Sequence, residues 1–260
     1  MQRFFPFWKT DMWTPIRTRL LSRRHLLRAT AVMAAIRPFT SMAKASTEPP
    51  LRHIVLLGDS IFDNASYVAG GPDVVQQLRE RLPDNWRATL NAVDGSVMTG
   101  VAGQVQRLPA DASHLVLSIG GNDALRQSYV LDETARSVAE ALGKITSIRE
   151  QFQRDYHAML ENVLKRRLPV AICTIYDARF PDSRRRALAT TALTIFNDVI
   201  TRAAFSRGLP LIDLRLICND DADFANPIEP SVHGGAKISA AIAELALDHD
   251  FAQRRSVVFV

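Results

Sequence analysis

A chain of 260 residues, 47% of them hydrophobic, is long enough for one α/β domain with a full core plus a leader. The formal net charge of +5 is unevenly placed. Residues 1–45 hold nine Lys or Arg and one acid, Asp11, which leaves 23 basic against 26 acidic residues for the remainder. The basic character thus belongs to the leader, and the compositional argument for nucleic-acid binding falls away.

The leader carries Ser22-Arg23-Arg24-His25-Leu26-Leu27-Arg28, which resembles a twin-arginine export signal. A short apolar stretch, Ala29 to Ile36, and a small-x-small site, Ala43-Lys44-Ala45, come next. This pattern predicts a leader over residues 1–45 that engages the export machinery and delivers the protein to the periplasm. The apolar stretch is too short to span a bilayer. Residues 46–51 read as a linker, and the domain runs from 52 to 260.

The first strand is expected at 53–58, where Ile54-Val55-Leu56-Leu57 is a continuous apolar run ended by Gly58. Ser60 then stands either as a nucleophile at a strand's carboxyl end or as the N-cap of the next helix. A helix is expected over 72–82, then a second strand at 86–93 turned by Asp94-Gly95. A weaker helix covers 99–107, and the third strand, 114–119, closes on Gly120-Gly121-Asn122-Asp123. A long helical region is expected at 132–167, with Asp132 as its cap and Gly143 as a break. The fourth strand covers 168–176, a helix 182–207, the fifth strand 209–214 and a last helix 235–249. The short apolar tail 256–260 either docks as an edge strand or stays outside the sheet. Five strands alternating with helices predict a single doubly wound α/β domain, a five-stranded parallel sheet flanked by helices, a flavodoxin-like three-layer arrangement.

Ser60, Gly95, Asn122 and His233 each come after a strand, which places them together on the sheet's carboxyl edge. An ester hydrolase needs such parts: a nucleophile, a base and donors for the oxyanion. His53 and His114 open strands at the opposite edge, His157 is mid-helix, and His249 ends the last helix. Cys173 is expected to be a buried thiol, while Cys218 is open. The two cysteines give no metal spacing, and no nucleotide-binding glycine pattern appears, so neither a metal nor a cofactor is expected. Arg184-Arg185-Arg186 either greets an anionic substrate or, as a charge run on a helix usually does, forms a solvated face.

Gly58-Asp59-Ser60, Gly95, Gly120-Gly121-Asn122-Asp123 and His233 together resemble the successive blocks of the SGNH (GDSL) hydrolases, over about residues 52–245. The resemblance implies Ser60 as nucleophile. The Ser60 and Gly95 backbone N–H groups and the Asn122 side chain form its oxyanion hole, with Asp59 as a brace. It implies His233 as base, but Pro230 stands where the family has an aspartate three residues before its histidine. The orienting group is then Glu229, another carboxylate such as Asp213, or a backbone carbonyl. The implied activity is hydrolysis of a small-molecule carboxylic ester through a Ser60 acyl-enzyme, with short acyl groups expected at a shallow sheet edge. The alternatives are a non-catalytic binding protein on the same fold and an acyltransferase.

Overall fold

The computed structural model describes residues 50–260, so the expected leader at residues 1–45 and most of the linker lie outside the described residues. The central strand, β1 (Arg52–Gly58), alternates its side chains between two apolar layers. Ile54 and Leu56 enter one cluster, Val55 and Leu57 the other, and all four are fully buried. A strand covered on both faces has no polar side to offer, which is why it reads as an unbroken apolar run. The further strands are β2 (Trp86–Leu90), β3 (His114–Ser118), β4 (Val170–Cys173), β5 (Leu211–Ile212) and β6 (Val258–Phe259). Every pairing is parallel, in the order β2-β1-β3-β4-β5-β6.

The connecting helices are α1 (Val74–Arg81), α2 (Val101–Gln106), α3 (Gly121–Arg126), α4 (Val138–Leu164), α5 (Ser183–Phe205), α6 (Leu214–Ile217) and α7 (Val232–Asp248). Helices α1, α6 and α7 bury Leu78, Leu214 and Ile238 with Ile54 and Leu56. Helices α2, α4 and α5 bury Val101, Leu160 and Ile200 against the opposite face. The chain leaves β1 for β2 on one side and then crosses to β3 on the other. The carboxyl ends of β1 and β3 therefore flank the topological switch point, where open sheets of this kind form their ligand crevice. No helix among the described residues is long and apolar enough to cross a membrane.

The sheet has six strands rather than the five expected. Residues Val258–Phe259 add to the edge of β5, pairing Leu211 with Val258 and Ile212 with Phe259. The tail thus docks as an edge strand, one of the two readings its sequence leaves open, since two residues carry no periodicity to decide between them. The long helix also starts later than expected. Residues Ser128–Asp132 form a separate 3-10 turn, and Ser137 caps α4 by accepting from the Glu140 N–H. Gly143 does not break it. Finally, α7 begins at Val232, three residues early, because the Ser231 hydroxyl caps it by accepting from the His233 and Gly234 N–H groups. His233 is thus the second residue of a helix and not part of a loop.

Candidate active site

The turn after β1 is built for close approach. Gly58 has φ +135°, and a Cβ there would lie 1.7 Å from the Ser118 carbonyl oxygen, so no other residue fits. Gln104, buried inside α2, grips this glycine at both ends. Its Oε1 accepts from the Gly58 N–H and its Nε2 donates to the Gly58 carbonyl, each at 2.7 Å. The chain then coils at once, with the Phe62 and Asp63 N–H groups both donating to the Asp59 carbonyl at 3.1 Å. Ser60 stands at the start of this coil. Among the described residues its hydroxyl has no hydrogen-bond partner, and it lines a cleft at the switch point.

Asp59 turns into the protein. It is 3% exposed, and its Oδ1 accepts from the Ile61 N–H at 3.2 Å. Burial pushes its carboxyl up to about 7, the N–H of Ile61 opposes, and the negative Asp123 and Asp94 add to the rise.

The expected oxyanion donors come from the next two strand ends. Gly95 adopts φ +73° with open space where a Cβ would be, and it is exposed beside the cleft without lining it. Asn122, at the start of α3, does line the cleft. Its amide donates one hydrogen to the Ser96 carbonyl at 2.9 Å, which fixes the side chain and leaves the second amide hydrogen for a ligand. Asp123 holds the same loop by accepting from the Met98 N–H at 3.1 Å. Two adjacent residues of α3 thus tie down the segment that carries Gly95.

The cleft has a volume of about 490 Å³. Asp59, Ser60, Asn122 and Glu229 are among the residues that line it. Leu125, Leu131, Ile148, Leu188 and Leu193 form aliphatic walls, and Asp132, Asp182, Arg184 and Arg185 also line the cleft. Leu125, Leu131 and Leu188 remain 38–43% exposed although they are large and apolar. The shallow edge expected from the sequence is therefore an apolar trough. Its walls come from α3, the turn after it, α4 and α5, which rise beyond the strand ends.

His233 is carried on the first turn of α7. The imidazole is 62% exposed, its Nε2 lies 3.6 Å from Asp223 Oδ1, and it does not line the cleft. Asp223 is fully buried and also pairs with Lys237 at 2.8 Å, a brace for the start of α7. Asp213 is likewise engaged: burial works against its charge, but Arg215 and Thr174 hold its carboxyl below the usual range. Of the expected base and orienting residues, Glu229 lines the cleft that Ser60 and Asn122 share. His53, at the other end of β1, bonds Thr89 at 2.7 Å and serves the fold. Cys173 and Cys218 are both buried free thiols.

Several residues that sequence reasoning missed hold these pieces. Asn64 is fully buried and donates from Nδ2 to the Pro230 carbonyl at 3.1 Å while accepting from the Val74 N–H at 3.0 Å. It links the nucleophile segment to the loop that bears Glu229. The Tyr176 hydroxyl donates to the Ile228 carbonyl at 2.5 Å from the end of β4. Gln104 was detectable as a polar residue between Val101 and Val105 on an apolar helix face.

A serine at the switch point of a doubly wound sheet, with an asparagine amide lining the same cleft, is the arrangement of a hydrolase-type site. The GDSL-like Lipase/Acylhydrolase family matches residues 56–241, and the chain belongs to that family. Among solved structures it is similar to a member of the lipolytic G-D-S-L family from Veillonella parvula, at 16% identity and a TM-score of 0.55, covering 76% of this chain and 98% of that one. The extracellular lipase of Streptomyces rimosus matches at 17% identity and a TM-score of 0.52, over 72% and 95% of the two chains. Est24, a carbohydrate acetylesterase from Sinorhizobium meliloti, matches at 13% and 0.53, over 75% and 98%. These likenesses establish the fold. The chain matches no curated protein.

Proposed function

We propose that this protein hydrolyses carboxylic esters through a Ser60 acyl-enzyme. The observation that carries the reading is the unbonded Ser60 hydroxyl opening into the same cleft as the Asn122 amide. In this reading Ser60 Oγ attacks the ester carbonyl, and the developing oxyanion is met by the Ser60 and Gly95 N–H groups and the free Asn122 hydrogen. Collapse releases the alcohol, and water then releases the acid. The aliphatic trough supports acyl groups long enough to reach Leu125 and Leu188, in place of the short-acyl preference drawn from a shallow edge. The test is a p-nitrophenyl ester series from acetate to dodecanoate, run on the parent and on Ser60→Ala. Activity that peaks beyond acetate and vanishes in Ser60→Ala supports the reading; full activity in Ser60→Ala refutes it.

A second reading, a binding protein on the same fold, draws on one observation, the His233 ring turned to Asp223. It takes over if no ester is turned over and a fluorophosphonate leaves Ser60 unlabelled. An acyltransferase differs in its acceptor alone. The leader pattern at Ser22–Arg28 and Ala43–Ala45 supports export to the periplasm by the twin-arginine route. Replacing Arg23 and Arg24 by lysine should abolish periplasmic accumulation, and mature protein should begin near Ser46.

A further inference from the structure

We infer that Asp223 is the carboxylate that positions His233, taking over from the place three residues before the histidine that Pro230 fills. The inference rests on the ester-hydrolase reading above, with His233 as its base, and names the orienting group that the sequence leaves open.

Placement is the first argument. Phe224 and Pro230 form an antiparallel bridge, the Ala225 N–H donates to the Glu229 carbonyl at 2.9 Å, and the Ser231 N–H donates to the Asp223 carbonyl at 2.8 Å. The chain between residues 224 and 230 thus folds back on itself and lays Asp223 against Ser231, the cap of α7. An acid ten residues before the histidine in sequence is thereby its neighbour in space. Gly234 permits the close approach, because a Cβ there would lie 2.1 Å from the Asp223 carbonyl oxygen. The same turn of α7 is fastened to the segment that follows Ser60. Asn64 Nδ2 donates to the Pro230 carbonyl and Gln77 Nε2 to the Val232 carbonyl, both at 3.1 Å.

The free oxygen of Asp223 is the second argument. Among the described residues, Asp223 is the one acid within ion-pair distance of His233, with Oδ1 3.6 Å from Nε2. The carboxylate is fully buried, and its Oδ2 accepts from the Asp220 N–H and from Lys237, each at 2.9 Å. Oδ1 lies 2.8 Å from Lys237 Nζ as a charge contact, yet it accepts no hydrogen bond among the described residues. A buried carboxylate oxygen without a hydrogen bond calls for a donor, and the ring nitrogen facing it can supply one. Bracing the start of α7 accounts for Oδ2 and leaves Oδ1 unexplained. Asp213, by contrast, is satisfied by Arg215 and Thr174. A separation of 3.6 Å is longer than a formed hydrogen bond, and bonds of this kind tighten in the substrate complex.

With the Nε2–H donating to Asp223, Nδ1 is the nitrogen left to accept. The Ser60 hydroxyl proton passes to Nδ1 as Oγ bonds to the ester carbonyl carbon. It goes on to the departing alcohol as the carbonyl carbon–alkoxy oxygen bond breaks. A water then gives a proton to Nδ1 as its oxygen attacks the acyl carbon, and Ser60 Oγ recovers that proton when the acid leaves. Asp223 takes no proton in either half; it fixes the tautomer and offsets the charge on the ring.

The test uses the purified full chain and a p-nitrophenyl ester. Asp223→Asn, the double variant Asp223→Asn/Lys237→Gln, that double with Pro230→Asp added, His233→Gln and Ser60→Ala are compared with the parent. The double leaves neither partner of the pair charged alone, so it carries the comparison where Asp223→Asn does not fold. Both should lose about a hundredfold or more in kcat with KM changed by less than about threefold. The titratable groups around Asp223 and His233 are Lys237 on α7, Asp220 and Asp221 in the same turn, Cys218 after α6 and Arg179 after β4. In Asp223→Asn the protonated ring loses its counter-charge. The acid-side fall of kcat, which reports the substrate complex, should then move about one pH unit toward lower pH. A carboxylate that only braces the helix lowers the rate and leaves that limb in place. Adding Pro230→Asp to the double should recover at least about tenfold, which a brace to Lys237 cannot explain. A kcat within about threefold of the parent in either Asp223 variant or in His233→Gln overturns the assignment. So does an unmoved acid limb in Asp223→Asn or, where the double alone folds, no recovery with Pro230→Asp. Each of these leaves the hydrolase reading standing on Ser60, whereas undiminished turnover in Ser60→Ala brings down both.

Discussion

Gln104 is the place where one side chain holds the nucleophile's strand in register. Changing it to leucine keeps the volume and removes both hydrogen bonds to Gly58. The Gly58 carbonyl retains the Val93 N–H at 3.1 Å, so its loss is one net hydrogen bond, about 1 kcal/mol. The Gly58 N–H has no replacement in a buried site, and an orphaned donor of that kind costs about 1–3 kcal/mol. The sum is about 3 kcal/mol, which for a domain of this size corresponds to a fall in Tm of about 6–12 °C. Because Ser60 is two residues further on, kcat should fall as well, by about tenfold, as the hydroxyl loses its fixed position. Thermal unfolding followed by circular dichroism and ester turnover measured on the same preparations provide the check. A Gln104→Leu protein that melts within about 2 °C of the parent and keeps its kcat refutes the role given to this bond pair.

Ser60→Ala should abolish ester turnover, and Asn122→Ala should reduce kcat by about a hundred- to a thousandfold, measured in steady state on the same ester. The buried Asp59 has its pKa raised from 3.8 to about 7, so its stabilising contribution is full below pH 3.8 and is lost as pH rises toward 7. Asp59→Asn should therefore gain stability relative to the parent between about pH 4 and pH 7, read from urea midpoints across that range; a gap that stays constant refutes this. Removing residues 256–260 strips β6 from the sheet, leaves the Leu211 and Asp213 N–H groups without the Val257 and Phe259 carbonyls, and should lower Tm and promote self-association through the bared β5 edge, measured by light scattering.

The strands at the centre of the sheet are legible in the sequence because each is a short apolar run stopped by a glycine or a polar turn. The same logic places Ser60 and Asn122 on one edge, since the end of a parallel strand is a location as well as a boundary. What the sequence hides depends on direction or distance. His233 is near the site along the chain, but its place on the first turn of a helix aims the ring at Asp223. The Ser231 cap that sets this orientation is a local signal, one serine among the polar residues of its loop. Leu125 and Leu188 are 63 residues apart, and nothing local marks them as facing walls of one trough. Asn64 and Gln104 look like ordinary polar residues until the backbone groups they satisfy are in view.

The strand order has a consequence for how the molecule comes into being. In the order β2-β1-β3-β4-β5-β6, each strand after the first joins an edge already standing, and none has to be inserted between two that are paired. The sheet can grow outward in the direction of synthesis, by additions that each need one partner strand. The segments carrying Ser60 and Asn122 come onto one edge as soon as β3 is laid beside β1, more than 100 residues before the loop and helix that bear Glu229 and His233 are made. In the proposed mechanism, a nascent chain would therefore hold the serine and the Asn122 oxyanion donor before the last loop and the helix behind it are made.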